Sequence, residues 1–154
     1  MIKTICLCFA WLFYFSATAQ NWTKEQISKA NTAIAISFLT KEEIETILYI
    51  NLCRLYPQEF AEKEIKPYFG TLKYGDYVKK SSYRKSLFRH LKLTKSVAVL
   101  VFDQTQYEYA KCFSKEQGES GQIGHKRIQG KQGFDGECCS YGMETGKDIA
   151  IQLL

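Results

Sequence analysis

Apolar and polar positions alternate at helical spacing along much of this chain. Thr40-Lys41-Glu42-Glu43 has the form of a capping box, and Ile44, Ile47, Leu48, Leu52 and Leu55 follow it on one face. Pro57 ends that helix or opens the next turn. Asn51 falls on the apolar stripe, so its amide needs buried partners, and it is read with Arg54 as structural, tying the helix to a neighbouring loop. Tyr83, Leu87 and Leu91 recur every four residues and predict a second helix. The all-apolar run 97–102 reads as a buried strand, and Asp103 after it can cap a helix reaching about Gly118. Thr145, with Asp148 three residues on, opens a last helix over 145–154 that leaves Ile149, Ile151, Leu153 and Leu154 uncovered.

Residues 1–19 concern address rather than fold. Lys3 supplies a positive start, 5–15 is a short apolar run, and Ala17-Thr18-Ala19 has the form of a cleavage site before Gln20. The run is too short to span a bilayer comfortably, so the mature chain is expected to be secreted or periplasmic, with no stable transmembrane segment. Residues 20–39 are a lead-in and 40–154 hold the domain; about 135 mature residues suffice for one core.

Losing Lys3 lowers the formal charge from +5 to +4. The excess is concentrated in Lys79, Lys80, Arg84, Lys85, Arg89, Lys92 and Lys95, the outer face of the Tyr83 helix. Such a face is ordinarily solvated; anionic lipid or cell-surface polysaccharide is the partner class it suits. No nucleic-acid reader motif is present.

Cys6 and Cys8 leave with the signal peptide, and Cys53, Cys112, Cys138 and Cys139 remain in a compartment that permits disulfides. Three full pairings are open to four cysteines, and free buried thiols are equally compatible. The absence of a C-x-x-C pair argues against a zinc knuckle or redox motif. Between Gly118 and Gly136 lies a polar, glycine-rich loop that contains His125, one of two histidines, and leads into Glu137, twelve positions on. An imidazole and a carboxylate delivered this way can share one cleft.

Several segments occur in an order that resembles the CAP superfamily: Asn51-Leu52-Cys53-Arg54-Leu55-Tyr56-Pro57, the Asp103-led helix, Gly124-His125, and Gly136-Glu137-x-x-Ser140-Tyr141-Gly142. That group comprises cysteine-rich secretory proteins, antigen-5 allergens and plant pathogenesis-related proteins. The resemblance covers roughly residues 40–154 and is nearest to secreted bacterial members. It implies an α+β fold, an incomplete α-β-α sandwich, mostly helical here with few strands. It also implies a cleft in which His125 matches the first of two histidines and Glu137 the first of two acids, lined further by Ser140 and Tyr141. Relatives continue past a segment like 152–154 into an acidic pair and a second Gly-His, which this chain lacks; Cys138 and Phe113 stand where an Asn and a His are usual. His125 and Glu137 are half of a zinc set, so no cofactor is expected beyond a weakly held divalent metal such as zinc.

The functional expectation is a secreted, CAP-type, non-enzymatic module that binds a small ligand or a surface through a His/Glu-lined cleft. Two alternatives stand beside it: a secreted hydrolase with His125 as base and Glu137 as partner, or an incomplete domain without activity of its own. Ser140 lies outside any G-x-S-x-G elbow, so no nucleophile is evident for the hydrolase.

Overall fold

Thr40 starts the central helix as the sequence suggests. Its hydroxyl accepts from the Glu43 amide and the Glu43 carboxylate accepts from the Thr40 amide, so two orphan donors of the first turn are satisfied. In a computed structural model describing residues 22–127 and 136–154, this helix is α2, Lys41–Leu55. Around it lie α1 (Lys24–Ala30), α3 (Pro57–Phe60), a π-helical turn (Ala61–Ile65), α4 (Ser82–Leu93), α5 (Gln104–Ser120) and α6 (Gly146–Leu153). The signal-peptide reading and the middle of the glycine-rich loop lie outside the described residues.

The expected α+β sandwich is overturned. The described residues are 54% helical and form no sheet; their one bridge joins Thr71 and Gly75 across a tight turn. The correction centres on residues 97–102. Instead of pairing with another strand, this segment lies along α2. The Val97 amide donates to the Arg54 carbonyl and Arg54 Nε donates to the Ala98 carbonyl. Leu100 gives its N–H to Asn51 Oδ1 (2.7 Å) and accepts from Asn51 Nδ2 (3.0 Å). One side-chain amide thus takes the place of a neighbouring strand, since it offers the same donor and acceptor pair as a peptide group. Val97 and Val101 stay exposed, so the run is not buried.

Asn51 itself is fully buried, and it also donates to the Ala30 carbonyl and the Thr32 hydroxyl. It therefore ties α2 to the end of α1 and to residues 97–102. Residues 22–39 are consequently part of the core rather than a lead-in to it. Thr23 and Gln26 form a second capping box, and Ala30, Ile27 and Trp22 pack against Leu52 and Phe60.

The core cluster of Ala30, Leu52, Cys53, Phe60, Ala61, Ile65 and Leu91 joins α1, α2, α3, the π turn and α4. Pro57 cannot continue α2, having no N–H to donate, and sits at N1 of α3 where none is needed. The π turn brings Glu64 inward, where its carboxylate accepts from Trp22 Nε1 (2.6 Å) and pairs with Lys147 (2.5 Å) on α6. Burial of that charge is offset by two charge-assisted contacts.

Helix α6 approaches α2 closely at Gly146. A Cβ there would lie 2.5 Å from the Glu42 carbonyl oxygen and 2.5 Å from Glu45 Cβ, so only glycine permits the approach. Thr145 caps α6 through the Asp148 amide, as expected. On α4 the expected stripe is shorter: Leu91 is buried and Leu87 partly so, but Tyr83 is exposed. Arg84 turns inward instead, donating to the carbonyls of Ile65, Lys66 and Lys79. Lys80, Lys85, Arg89 and Lys95 keep no ion-pair partner among the described residues. Among those residues no helix is long and apolar enough to cross a membrane.

Candidate functional site

The site is assembled where α5 ends. Asp103 caps the start of this helix through the Gln106 amide, and Gly121, at φ 67°, terminates it in a left-handed conformation that a side chain would disfavour. The chain then turns back through Gly124 to His125. Gln117, in the last turn of α5, donates to the Gly124 carbonyl (2.7 Å) and to the Tyr141 hydroxyl (3.0 Å). The Gly124 amide donates to that same hydroxyl at 2.8 Å. Tyr141 is therefore a bracket that fixes the residue before His125.

The second half comes from 136–142. Gln152 of α6 holds it: Gln152 Oε1 accepts from the Ser140 hydroxyl and from the Tyr141 amide (2.9 Å). In extended backbone, residues two apart share a face while the intervening ones take the other. Accordingly Ser140 turns to α6, and Glu137 and Cys139 both meet His125.

His125 Nδ1 is 3.0 Å from Glu137 Oε1 and 3.6 Å from Cys139 Sγ. Cys139 Sγ lies 4.0 Å from the same carboxylate oxygen and 3.7 Å from the Gly124 carbonyl oxygen. The other carboxylate oxygen, Oε2, accepts from Arg127 Nη2. The Arg127 side chain is largely buried, with its guanidinium 4.0 Å from the centre of the Phe113 ring, a cation–π arrangement. Phe113 is thus the buried floor beneath the arginine. The Glu137 carboxylate is largely buried, whereas the His125 ring is 62% exposed, so the cluster opens to solvent on the imidazole side.

Among the expected residues, His125 and Glu137 come together, Ser140 and Tyr141 serve the scaffold beside them, and Asn51 and Arg54 lie elsewhere, holding residues 97–102. Cys139 and Arg127 were not among those expected. The signal for Cys139 was its two-residue spacing from Glu137, hidden by its adjacency to Cys138, which invites a disulfide reading. No disulfide forms among the described residues: Cys53 is buried and free, and Cys112 and Cys138 are exposed.

The geometry disfavours a nucleophile relay. A Cys-His-acid relay uses opposite ring nitrogens, one taking the thiol proton while the other is oriented by the acid. Here thiol and carboxylate both address Nδ1, and Ser140 is engaged with Gln152. Three donors converging on one point suit a cation instead. Zinc bonds of about 2.0 Å to N or O and about 2.3 Å to S put tetrahedral ligand atoms about 3.3–3.7 Å apart. The separations of 3.0, 3.6 and 4.0 Å bracket that range, and all three atoms lie within 4.8 Å of one another.

No family model, curated protein or solved structure matches this chain. The resemblance to CAP proteins rests on the sequence motifs alone.

Proposed function

We propose that this chain is an exported, non-enzymatic binding module whose cleft holds a zinc-class divalent cation through His125, Glu137 and Cys139. The single observation that carries the reading is the convergence of three different donor types on one solvent-open point. An imidazole, a carboxylate and a thiolate are together a borderline-soft set, which suits zinc better than calcium or magnesium. Three protein ligands leave a fourth position for water or a small ligand, the arrangement of an open rather than a structural site. Arg127 grips the Glu137 oxygen that faces away from the cluster, so it orients the carboxylate without occupying the metal position. Export is supported by the leader-like residues 1–19, and the order of motifs shared with CAP proteins supports binding over catalysis, which is not a general property of that group.

The test is a zinc competition titration against a chromophoric chelator, with the unmodified chain and His125→Ala, Glu137→Gln and Cys139→Ser. Saturable binding of one zinc per chain, at least about tenfold weaker in each variant, is expected, the factor being the lower end of what misplacing a ligand costs. Binding that Cys139→Ser leaves unchanged would reduce the site to the two donors legible in the sequence. Ester or peptide turnover abolished by His125→Ala would replace the binding module with a hydrolase.

A further inference from the structure

We propose that a hollow between α4 and the residue ending the π turn binds a phosphate-bearing anion. It measures about 560 Å³ and is lined by Lys66, Arg84, Lys85, Phe88 and Arg89. Four of these residues are cations and none is an acid. Arg84 is fixed by neutral groups. Its Nη1 donates to the carbonyls of Ile65 and Lys66, its Nη2 donates to that of Lys79, and its guanidinium faces the Phe69 ring at 5.2 Å. Its Nε is buried with no hydrogen-bond partner among the described residues. Lys85 and Arg89 are exposed and form no ion pair among those residues. Lys66 shares Glu62 with Lys92, at 3.0 Å each, so that carboxylate is divided between two cations.

Nothing within α4 relieves this excess. The helix contains no Asp or Glu. Lys85 and Arg89 stand one turn apart, where like charges repel. Arg84 and Lys85 lie near its N-terminus, where the helix dipole already favours negative charge. An anion in the hollow offsets both penalties. A phosphate monoester suits it better than a carboxylate, because it carries nearly two negative charges at neutral pH and three acceptor oxygens. The unengaged fork of Arg89 can meet two of those oxygens together. The hollow is many times the roughly 30 Å³ of a water molecule, and Phe88 gives it an apolar wall, so it also has room for the organic part of the ligand. The recognising chemistry is the same for a soluble phosphate compound and for a phospholipid headgroup, and the test has an arm for each.

Isothermal titration calorimetry of the metal-free chain with pyrophosphate, at low ionic strength, is the first arm. Cosedimentation with phosphatidylcholine vesicles containing phosphatidic acid is the second. Saturable binding is expected in at least one, weakened at least about tenfold by the double variant Lys85→Gln, Arg89→Gln, since hydrogen bonds to charged groups are lost. Lys80→Gln, Lys95→Gln removes the same charge outside the hollow and should change binding little; circular dichroism should show the helices of both double variants retained. Binding confined to pyrophosphate assigns the hollow to soluble phosphates, and binding confined to vesicles assigns it to headgroups; either upholds the proposal when it depends on Lys85 and Arg89. Equal losses in the two double variants overturn it, because the attraction would then belong to the whole basic face. So does the absence of saturable binding in both arms.

Discussion

Asn51 and His125 are both polar residues that hold two chain segments together, but they do so under opposite conditions. The Asn51 amide is fully buried and saturated. Its nitrogen donates to Ala30, Thr32 and Leu100, and its oxygen accepts from Leu100. Nothing is left over for a ligand. The His125 ring is mostly exposed, meets Glu137 and Cys139 through one nitrogen, and keeps its other nitrogen free of any partner among the described residues. A saturated buried group specifies a fold, whereas converging donors with spare capacity specify chemistry. The two regions are also held differently. The Asn51 region rests on an apolar cluster shared by five elements, while the His125 region rests on hydrogen bonds from Gln117, Tyr141 and Gln152, with Phe113 as the one buried side chain of α5.

If this contrast is real, the two regions should fail separately. Phe60→Ala, at a fully buried position of the apolar cluster, is expected to give the largest effect, a loss of about 3–5 kcal/mol in urea melts. Zinc affinity measured well below the transition should be unchanged. A loss of zinc binding in the folded variant would mean that core and site are one cooperative unit.

Asn51→Ala comes next. It leaves the Leu100 amide, previously bonded to the side chain, to find water or go unpaired, while the Leu100 carbonyl keeps the Thr32 hydroxyl, and is expected to cost roughly 2–3 kcal/mol. Hydrogen exchange should show the Leu100 amide among those losing most protection. If the stability loss is confined to a few tenths of a kcal/mol, the amide is not what holds residues 97–102 to α2.

That segment also marks where the sequence stops being legible. Caps are local, so Thr40, Asp103 and Thr145 could each be read from a hydroxyl or carboxylate three residues before an amide. The Thr23-x-x-Gln26 box of α1 was equally local, but no apolar period follows it to draw attention. An apolar run such as 97–102 reads as a strand because its composition is right, yet strandhood depends on a neighbour, and the neighbour here is a helix carrying Asn51 and Arg54. Glu64 was illegible for a related reason: its burial depends on a π turn and on Trp22 and Lys147, distant in sequence. In the site, the pairing of His125 with Glu137 could be anticipated from a glycine-rich connection and the family-like motif. The role of Cys139 could not, since it requires Glu137 and Cys139 to meet the same ring while Ser140 is anchored to α6.

Gln152→Ala sharpens the comparison from the other side. It removes the group that holds Ser140 and Tyr141 and is not itself a member of the apolar cluster. An exposed hydrogen-bond deletion of this kind should cost about 1 kcal/mol or less. Zinc binding should nonetheless weaken by about tenfold, because Glu137 and Cys139 lose their fixed spacing. Equal losses in both measurements would contradict a site held independently of the core.

The smallest effect is a difference in thiol behaviour, and it distinguishes the regions within one chain. Burial pushes the Cys53 thiol up to about 11, with Arg54 acting weakly the other way. At pH 8 Cys53 should therefore stay protonated and out of reach of iodoacetamide, which needs the thiolate. Exposed Cys112 and Cys138 should be modified quickly, and half-buried Cys139 more slowly still once zinc is added. The same shift has a stability consequence of fixed sign. The folded chain holds the Cys53 proton more tightly than the unfolded chain, so this contribution is complete below the ordinary value of 9.0 and is lost as pH rises through about 11. Cys53→Ala should flatten that part of the alkaline stability profile. Peptide mapping after timed alkylation, with and without zinc, reads the first half of this prediction. Modification of Cys53 at the rate of Cys112 in the folded chain would show that the core opens as readily as the site.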